Sequence, residues 1–176
     1  LLAVNSRSQN EPYLLTLKWM PLKNKKPIVL LGKGVTFDSG GMNLKHWDFS
    51  DMKTDMTGAA VVFALLRFCA LNKMNKNVIG IIPLVENMLN EKAHRPGDII
   101  KSHSGKNVEI INTDAEGRLI LADALSYSKK LKPHCLIDIA TLTGQAGSIF
   151  NKLSIVVLGN NKSLIKKYED CGKEMN

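Results

Sequence analysis

Apolar and polar positions along the chain follow two different periods, which predict where strands and helices lie. Short apolar or alternating runs rich in β-forming residues predict strands over residues 13–19, 28–31, 78–85, 108–111, 136–140 and 154–158. Apolar residues at helical spacing predict helices over residues 58–71, 117–131 and 163–171. Segment 32–41 contains four glycines and is predicted to be a loop, as is segment 87–98.

The alternation of strands with helices favours parallel strand pairing. It predicts an α/β fold, a layered α/β/α domain in which a mostly parallel mixed sheet is flanked by helices. In such sheets the chemically active residues lie on loops beyond the carboxyl ends of the strands. The two loops that carry the candidate chemistry both follow predicted strands, so we expect them to meet at one edge of the sheet.

The composition of the 176 residues argues against several classes of protein. Hydrophobic residues make up 44% and charged residues 23%, which is typical of a soluble domain, and we expect no membrane-spanning segment. Cys69, Cys135 and Cys171 are few, odd in number and far apart, which favours a reducing, cytoplasmic compartment. The sequence contains no CxxC pair, which excludes a structural zinc site built from such pairs.

The net charge of +8 raises the question of a nucleic-acid partner. No Arg-rich helix, aromatic RNA-binding platform or zinc finger accompanies the charge. We therefore interpret it as a solvated surface rich in lysine and asparagine, and we expect no nucleic-acid partner.

Acidic residues and lysines cluster in two segments of the chain. The first runs from Lys33 through Asp38 and Lys45 to Asp55, and the second contains Asp114 and Glu116. Asp38, Asp55, Asp114 and Glu116 offer hard oxygen ligands that could together hold one or two divalent cations, with Mg²⁺ and Mn²⁺ favoured and Zn²⁺ as an alternative.

The spacing of these residues excludes one other interpretation and leaves two open. The glycines do not form a phosphate-binding loop, because neither GxxxxGK[ST] nor GxGxxG at the first strand–helix turn occurs. Asp114 is also suited to be the N-cap of the predicted helix, and Glu116 is suited to the positive end of the dipole of that helix. Lys33 and Lys45 would ordinarily lie on the surface.

The combination of motifs resembles the leucine aminopeptidase (cytosol aminopeptidase) family of metallopeptidases. The matching strings are GVTFDSGG at residues 34–41, RPGD at 95–98, NTDAEGRL at 112–119 and DIATLTG at 138–144. They occur in order along most of the chain. The resemblance implies a metal-dependent aminopeptidase that removes an N-terminal leucine or similar apolar residue from peptides with a free N-terminus. It also implies a homohexamer.

The resemblance further implies a role for individual residues. One metal ion would be held by Asp38, Asp114 and Glu116, and the other by Lys33, Asp38, Asp55 and Glu116. The two divalent ions would be Zn²⁺ or Mn²⁺, with Mg²⁺ or Co²⁺ as alternatives, and would activate a water. Lys45 would be the electrophilic catalyst, and Arg118 would hold a bicarbonate ion that acts as general base. The substrate-binding positions would be Met52, Thr141, Leu142 and Gly144.

The sequence departs from the family pattern between Lys45 and Asp55. This segment is at least one residue shorter than expected, contains an unusual His46-Trp47 pair, and offers Asp48 and Asp51 as competing ligands. We expect Asp55 to be the ligand because it immediately precedes the predicted helix.

We also expect residues 1–176 to be a single part of the catalytic domain, without the family's N-terminal domain and C-terminal part. The alternative function is a non-catalytic assembly or nucleic-acid-binding relative.

Overall fold

A computed structural model describes residues 1–5, 8–91, 93–151 and 154–175, in two compact units, Leu1–Leu142 and Thr143–Asn176. The strands of the first unit are β1 (Tyr13–Trp19), β2 (Ile28–Gly32), β3 (Gly34–Asp38), β4 (Val78–Asn87), β5 (Ile99–Lys101), β6 (Asn107–Glu109) and β7 (Cys135–Ile139). Its helices are α1 (Leu2–Asn5), α2 (Thr57–Leu71) and α3 (Glu116–Ser128), with 3₁₀ turns at Ser50–Thr54, Thr113–Ala115 and Lys129–Leu131. The second unit contains α4 (Gln145–Phe150) and α5 (Lys162–Glu174).

The main sheet is mixed and mostly parallel, as the sequence predicts. Its strand order is β1-β4-β2-β7, and β3 also pairs with β4. β2 runs parallel to β4 and β7, and β3 runs parallel to β4. Among the described strands of this sheet, β1 is the one that runs antiparallel to its neighbour, β4. The parallel strands therefore have their carboxyl ends at one edge, which is where ligand sites form in open α/β sheets.

Two apolar layers hold the helices against opposite faces of this sheet. Because side chains alternate along a strand, neighbouring residues of β2 and β4 enter different layers. The first layer, under α3, contains Val29, Leu31, Ile79, Ile81, Leu121 and Ala124. The second, under α2, contains Leu30, Ala59, Val62, Leu66, Val78 and Ile82. The predicted α/β/α layering is thus confirmed.

The predicted loop over residues 32–41 is wrong at its centre, because Gly34–Asp38 forms β3. Gly34 is needed there for close approach rather than for a turn: a Cβ at this position would stand 2.5 Å from the carbonyl oxygen of Pro83. Val35 is fully buried, and Asp38 is buried at the end of the strand. The strand therefore delivers Asp38 to the edge of the sheet.

The predicted strand over residues 154–158 is also wrong. β-Branched residues suit a strand, but a strand requires a hydrogen-bonded neighbour, and none of the described residues pairs with this segment. The helix predicted over residues 163–171 is present as α5, and that over 117–131 as α3 with its 3₁₀ extension. The predictions did not include α1, α4 or β5.

Helix α2 is more apolar than a helix with one buried face requires. By length and composition alone, Ser50–Leu71 could cross a membrane, whereas the overall composition of the sequence predicts no such segment. Val62 and Leu66 of α2, however, are buried against the sheet. The helix is therefore buried on this inner face only, because Phe63 and Phe68 are exposed on the outer side.

Candidate metal centre

The carboxyl ends of the parallel strands bring the candidate residues together. Lys33 directly follows β2, Asp38 ends β3, Asn87 ends β4, and Thr141 follows β7 by two residues. Glu116 is the first residue of α3, where the positive end of the helix dipole favours an acidic side chain. Residues far apart in sequence therefore share one edge of the sheet.

Three carboxylates converge at this edge. One oxygen each of Asp38, Asp114 and Glu116 lies within 4.8 Å of the other two, an arrangement that could hold a metal ion. Asp38 and Glu116 are buried, and Asp114 is partly exposed. Buried carboxylates are rare unless they are paired or hold a metal.

Lys33 joins a fourth carboxylate to these three. Its Nζ lies 2.6 Å from Oδ2 of Asp55 and 3.2 Å from Oε1 of Glu116, and it donates to the carbonyl oxygen of Thr141 at 3.0 Å. The Thr141 hydroxyl donates to Oδ1 of Asp55 at 2.8 Å. Lys33 is almost completely buried, unlike the surface lysine that its residue type would predict.

Lys45 approaches the cluster from the opposite end. Its Nζ lies 2.8 Å from Oδ2 of Asp38 and also contacts Oδ1 of Asp114. Burial lowers the pKa of Lys45, but the hydrogen bonds and charges of Asp114 and Asp38 outweigh it, so the pKa is raised above its ordinary value. Lys45 therefore keeps its positive charge at neutral pH.

The acids of the cluster hold protons more tightly than free carboxylic acids do. Burial, followed by the charge of Asp38, raises the pKa of Glu116 to about 7. Burial likewise raises the pKa of Asp55 and Asp114, despite the neighbouring lysines. The pKa values of Lys45 and Asp114 are both raised, although the two side chains pair with each other. The pKa of Lys45 is raised because two carboxylates face it. The pKa of Asp114 is raised because burial and the charge of Asp38 outweigh the attraction of the single lysine.

The donor set fits divalent cations. If all groups are ionised, four negative charges face only the two positive charges of Lys33 and Lys45. Burial is the main cause of the raised pKa values of these acids, and the charge of Asp38 adds to it. Oxygen ligands and unbalanced negative charge are what a hard or borderline divalent ion requires.

Two supporting residues were not assigned a role from the sequence. The buried Asn87 donates from Nδ2 to Oδ1 of Asp38 at 2.8 Å and to the carbonyl oxygen of Thr113 at 3.1 Å. The Thr113 hydroxyl donates to the Gly40 carbonyl at 2.6 Å and accepts from the Asn43 N–H at 2.8 Å. The position of Asn87 at the end of a central strand was the signal that could have identified it.

The remaining candidate residues lie outside these contacts. Asp48 and Asp51 are exposed, so burial within the cluster distinguishes Asp55 from both competitors. Arg118 is exposed on the first turn of α3 and makes no ion pair within the described part of the chain. Met52 is partly exposed, and Leu142 is exposed. Gly144 belongs to the unit Thr143–Asn176.

Comparison with known proteins gives a match to a family model and to several relatives of similar sequence. The model of the cytosol aminopeptidase family, catalytic domain, matches residues 1–176. A probable cytosol aminopeptidase of Vesicomyosocius okutanii is 52% identical over 165 residues, covering 93% of this chain and 34% of the relative. One from Phytoplasma australiense is 49% identical over 176 residues, covering 98% of this chain and 36% of the relative.

A solved structure extends the similarity to the fold. The Caenorhabditis elegans leucine aminopeptidase matches with a TM-score of 0.89 and 38% sequence identity, covering 97% of this chain and 35% of that chain. This chain thus spans about a third of the length of the relatives it matches.

Proposed function

This chain belongs to the cytosol aminopeptidase family, and from that premise we propose that the protein is a metal-dependent aminopeptidase. The observation that carries the proposal is the convergence of buried Asp38 and Glu116 with Asp114. The Lys33–Asp55 pair, which also contacts Glu116, supports a second metal position next to the first.

The proposed metal sites share two of their ligands. Asp38, Asp114 and Glu116 would hold one divalent ion, while Lys33, Asp38, Asp55 and Glu116 would hold the other. Zn²⁺ and Mn²⁺ fit this set, with Mg²⁺ and Co²⁺ as alternatives. When bound, such ions polarise a carbonyl group and activate water for attack at neutral pH.

The side chains of this chain would then position and stabilise the reacting groups. Lys45 is charged and lies at the Asp38–Asp114 end, so it suits the stabilisation of an oxyanion that develops on the scissile carbonyl. Arg118, which makes no ion pair with the described residues, would hold a bicarbonate ion as general base. That role rests on the family resemblance.

The preference for chain ends would follow from recognition of the free α-amine at the metal centre. Thr141, with its carbonyl on Lys33 and its hydroxyl on Asp55, supports a substrate site at that end of the cluster. The family resemblance also assigns Met52, Leu142 and Gly144 to the binding of leucine or a similar apolar residue. The homohexamer and the cytoplasmic location rest on the resemblance and on the relatives, which are named cytosol aminopeptidases.

The test is hydrolysis of a leucine amide reporter by the full-length protein, stripped of metal and then resupplied with Mn²⁺ or Zn²⁺. Activity should return with metal, and Asp114→Ala should lower kcat/KM by at least about a hundredfold. Asp51→Ala is the matched control, because it removes an exposed acid from the same region. A folded wild-type protein that remains inactive with every metal would instead support a non-catalytic relative.

A further inference from the structure

Trp47 lies at the Lys45 end of the carboxylate cluster. Nζ of Lys45 is 5.8 Å from the centre of the Trp47 ring, within the roughly 6 Å over which cation–π attraction acts. The same Nζ contacts Asp38 and Asp114. Nevertheless, 61% of the Trp47 surface is exposed. A tryptophan can bury roughly 150–250 Å², so this ring offers apolar surface beside a charged, mostly buried site.

The loop that carries Trp47 is anchored next to the cluster. The Lys45 N–H donates to the carbonyl oxygen of Ser39 at 3.0 Å. The ring of Phe49 packs edge-on against Phe37 with centroids 6.2 Å apart, and Phe37 immediately precedes Asp38. A ring held on an anchored loop can bind an apolar group with little loss of conformational entropy.

The cluster has two distinguishable ends, and Trp47 lies at one of them. Thr141 contacts Lys33 and Asp55 at the first end, whereas Trp47 and Lys45 lie at the Asp114 end. Under the proposed function, the first end takes the N-terminal residue and Lys45 faces the scissile carbonyl. The part of the peptide after the scissile bond then runs past Lys45 towards Trp47.

We propose that Trp47 binds the side chain of the second residue of the peptide substrate and selects apolar or aromatic residues there. The inference rests on the proposed function and assigns a specificity-determining residue to it. An aromatic or large aliphatic side chain at that position would cover the exposed ring and gain stacking or apolar burial. A glycine at the same position would gain neither.

The test compares leucinamide, Leu-Gly and Leu-Phe as substrates of the full-length, Mn²⁺-loaded protein. Trp47→Ala should lower kcat/KM for Leu-Phe about tenfold, mostly through KM, and change that for leucinamide less than about twofold. Trp47→Phe should retain most of the preference for Leu-Phe. His46→Ala is the matched control, because it truncates the exposed neighbour in the same loop.

The outcomes separate this inference from the proposed function. Equal losses for leucinamide and Leu-Phe in Trp47→Ala would overturn the inference, because the ring would then act through Lys45 on every substrate. A wild type that hydrolyses Leu-Gly and Leu-Phe equally well would also overturn it, with the aminopeptidase function intact. Inactivity towards all three substrates would overturn both. If Trp47→Ala fails to fold, Trp47→Gln keeps an extended side chain without the apolar ring and gives the same comparison.

Discussion

The Lys33 side chain reaches the carboxylates by passing directly over Gly117. A Cβ at Gly117 would stand 2.4 Å from Cε of Lys33 and 3.2 Å from its Nζ, closer than packed atoms tolerate. Lys33 is buried and has little room to move aside. The glycine that follows Glu116 is therefore what allows the lysine after β2 to meet the carboxylates at the start of α3.

Replacing Gly117 by alanine should weaken metal binding without weakening helix α3. Alanine favours a helix over glycine by about 1 kcal/mol, so α3 itself should not be weakened. The displaced Lys33 should weaken one of the two Mn²⁺ sites by at least about tenfold, measured by calorimetric titration of the metal-stripped protein. Gly172→Ala in α5 is the control, because its added Cβ would meet nothing within 4 Å. Unchanged binding of two ions would contradict the prediction.

Asn87 should control the affinity for metal without being a ligand. Its amide donates to Oδ1 of Asp38 and fixes the orientation of that carboxylate. Asn87→Ala should weaken Mn²⁺ binding by about 10–100-fold, the usual cost of removing a residue that orients a ligand. Asn72→Ala, which removes an exposed amide at the end of α2, should leave the affinity unchanged. Identical titrations for both variants would show that Asp38 is oriented by other contacts.

Thr113 should contribute to stability by joining two loops of the centre. Its buried hydroxyl pairs with Gly40 and Asn43, so Thr113→Val would leave a carbonyl oxygen and an N–H without this partner. We expect the free energy of unfolding to fall by about 1–3 kcal/mol, measured by urea denaturation. Thr54→Val removes an exposed hydroxyl that donates to Asp51 and should cost much less. Equal losses would indicate that the exposed bond matters as much as the buried one.

The sequence predicted most of the sheet because its strands differ sharply from the flanking segments in hydrophobicity and in content of β-forming residues. Periodicity identified β1 with both ends correct, and it identified β2, β4 and β7 to within two residues. It failed for β3, because glycines that permit close approach look like turn residues until the neighbouring strand is known. Tertiary contacts, which no local pattern contains, decide such cases.

The sequence predicted the charged members of the candidate centre better than its neutral ones. Lys33, Asp38, Asp55, Asp114 and Glu116 were all nominated, and the fold brings them to one edge. Asn87 was not nominated, because an asparagine at the end of a strand is common and its orientation depends on the register of β4 with β3. The exposed position of Trp47 next to Lys45 likewise required coordinates.

Glu116 should give the metal-free protein a characteristic pH dependence. Burial and the charge of Asp38 raise its pKa from 4.5 to about 7. An acid with a higher pKa in the folded state contributes stability that is complete below about pH 4.5 and is lost as pH rises through about 7. Relative to Glu116→Gln, the metal-stripped wild type should therefore lose stability between about pH 5 and 7.5, measured by urea denaturation.

The comparison with Glu116→Gln is needed because other groups titrate in the same range. Burial lowers the pKa of His94, so that residue contributes a pH dependence of opposite sign. The difference between wild type and variant cancels this contribution, since both proteins contain His94. Parallel stability curves for the two proteins would show that Glu116 is ionised throughout and that its burial is compensated.

Bound metal should cancel the Glu116 contribution to this pH dependence. Carboxylates bind cations only when ionised, so protons and Mn²⁺ compete for Glu116, and this competition alone should weaken the apparent Kd by at least about tenfold for each pH unit below about 7. Because a ligand that binds only the folded state stabilises it, the tighter metal binding at higher pH should offset the stability that the metal-free protein loses through Glu116, so the Glu116 contribution to the stability of the metal-loaded protein should be nearly constant over that interval. Calorimetry in two buffers of different ionisation enthalpy would count the protons released. A Kd that stays constant between about pH 5.5 and 7.5 would argue that Glu116 is not a ligand.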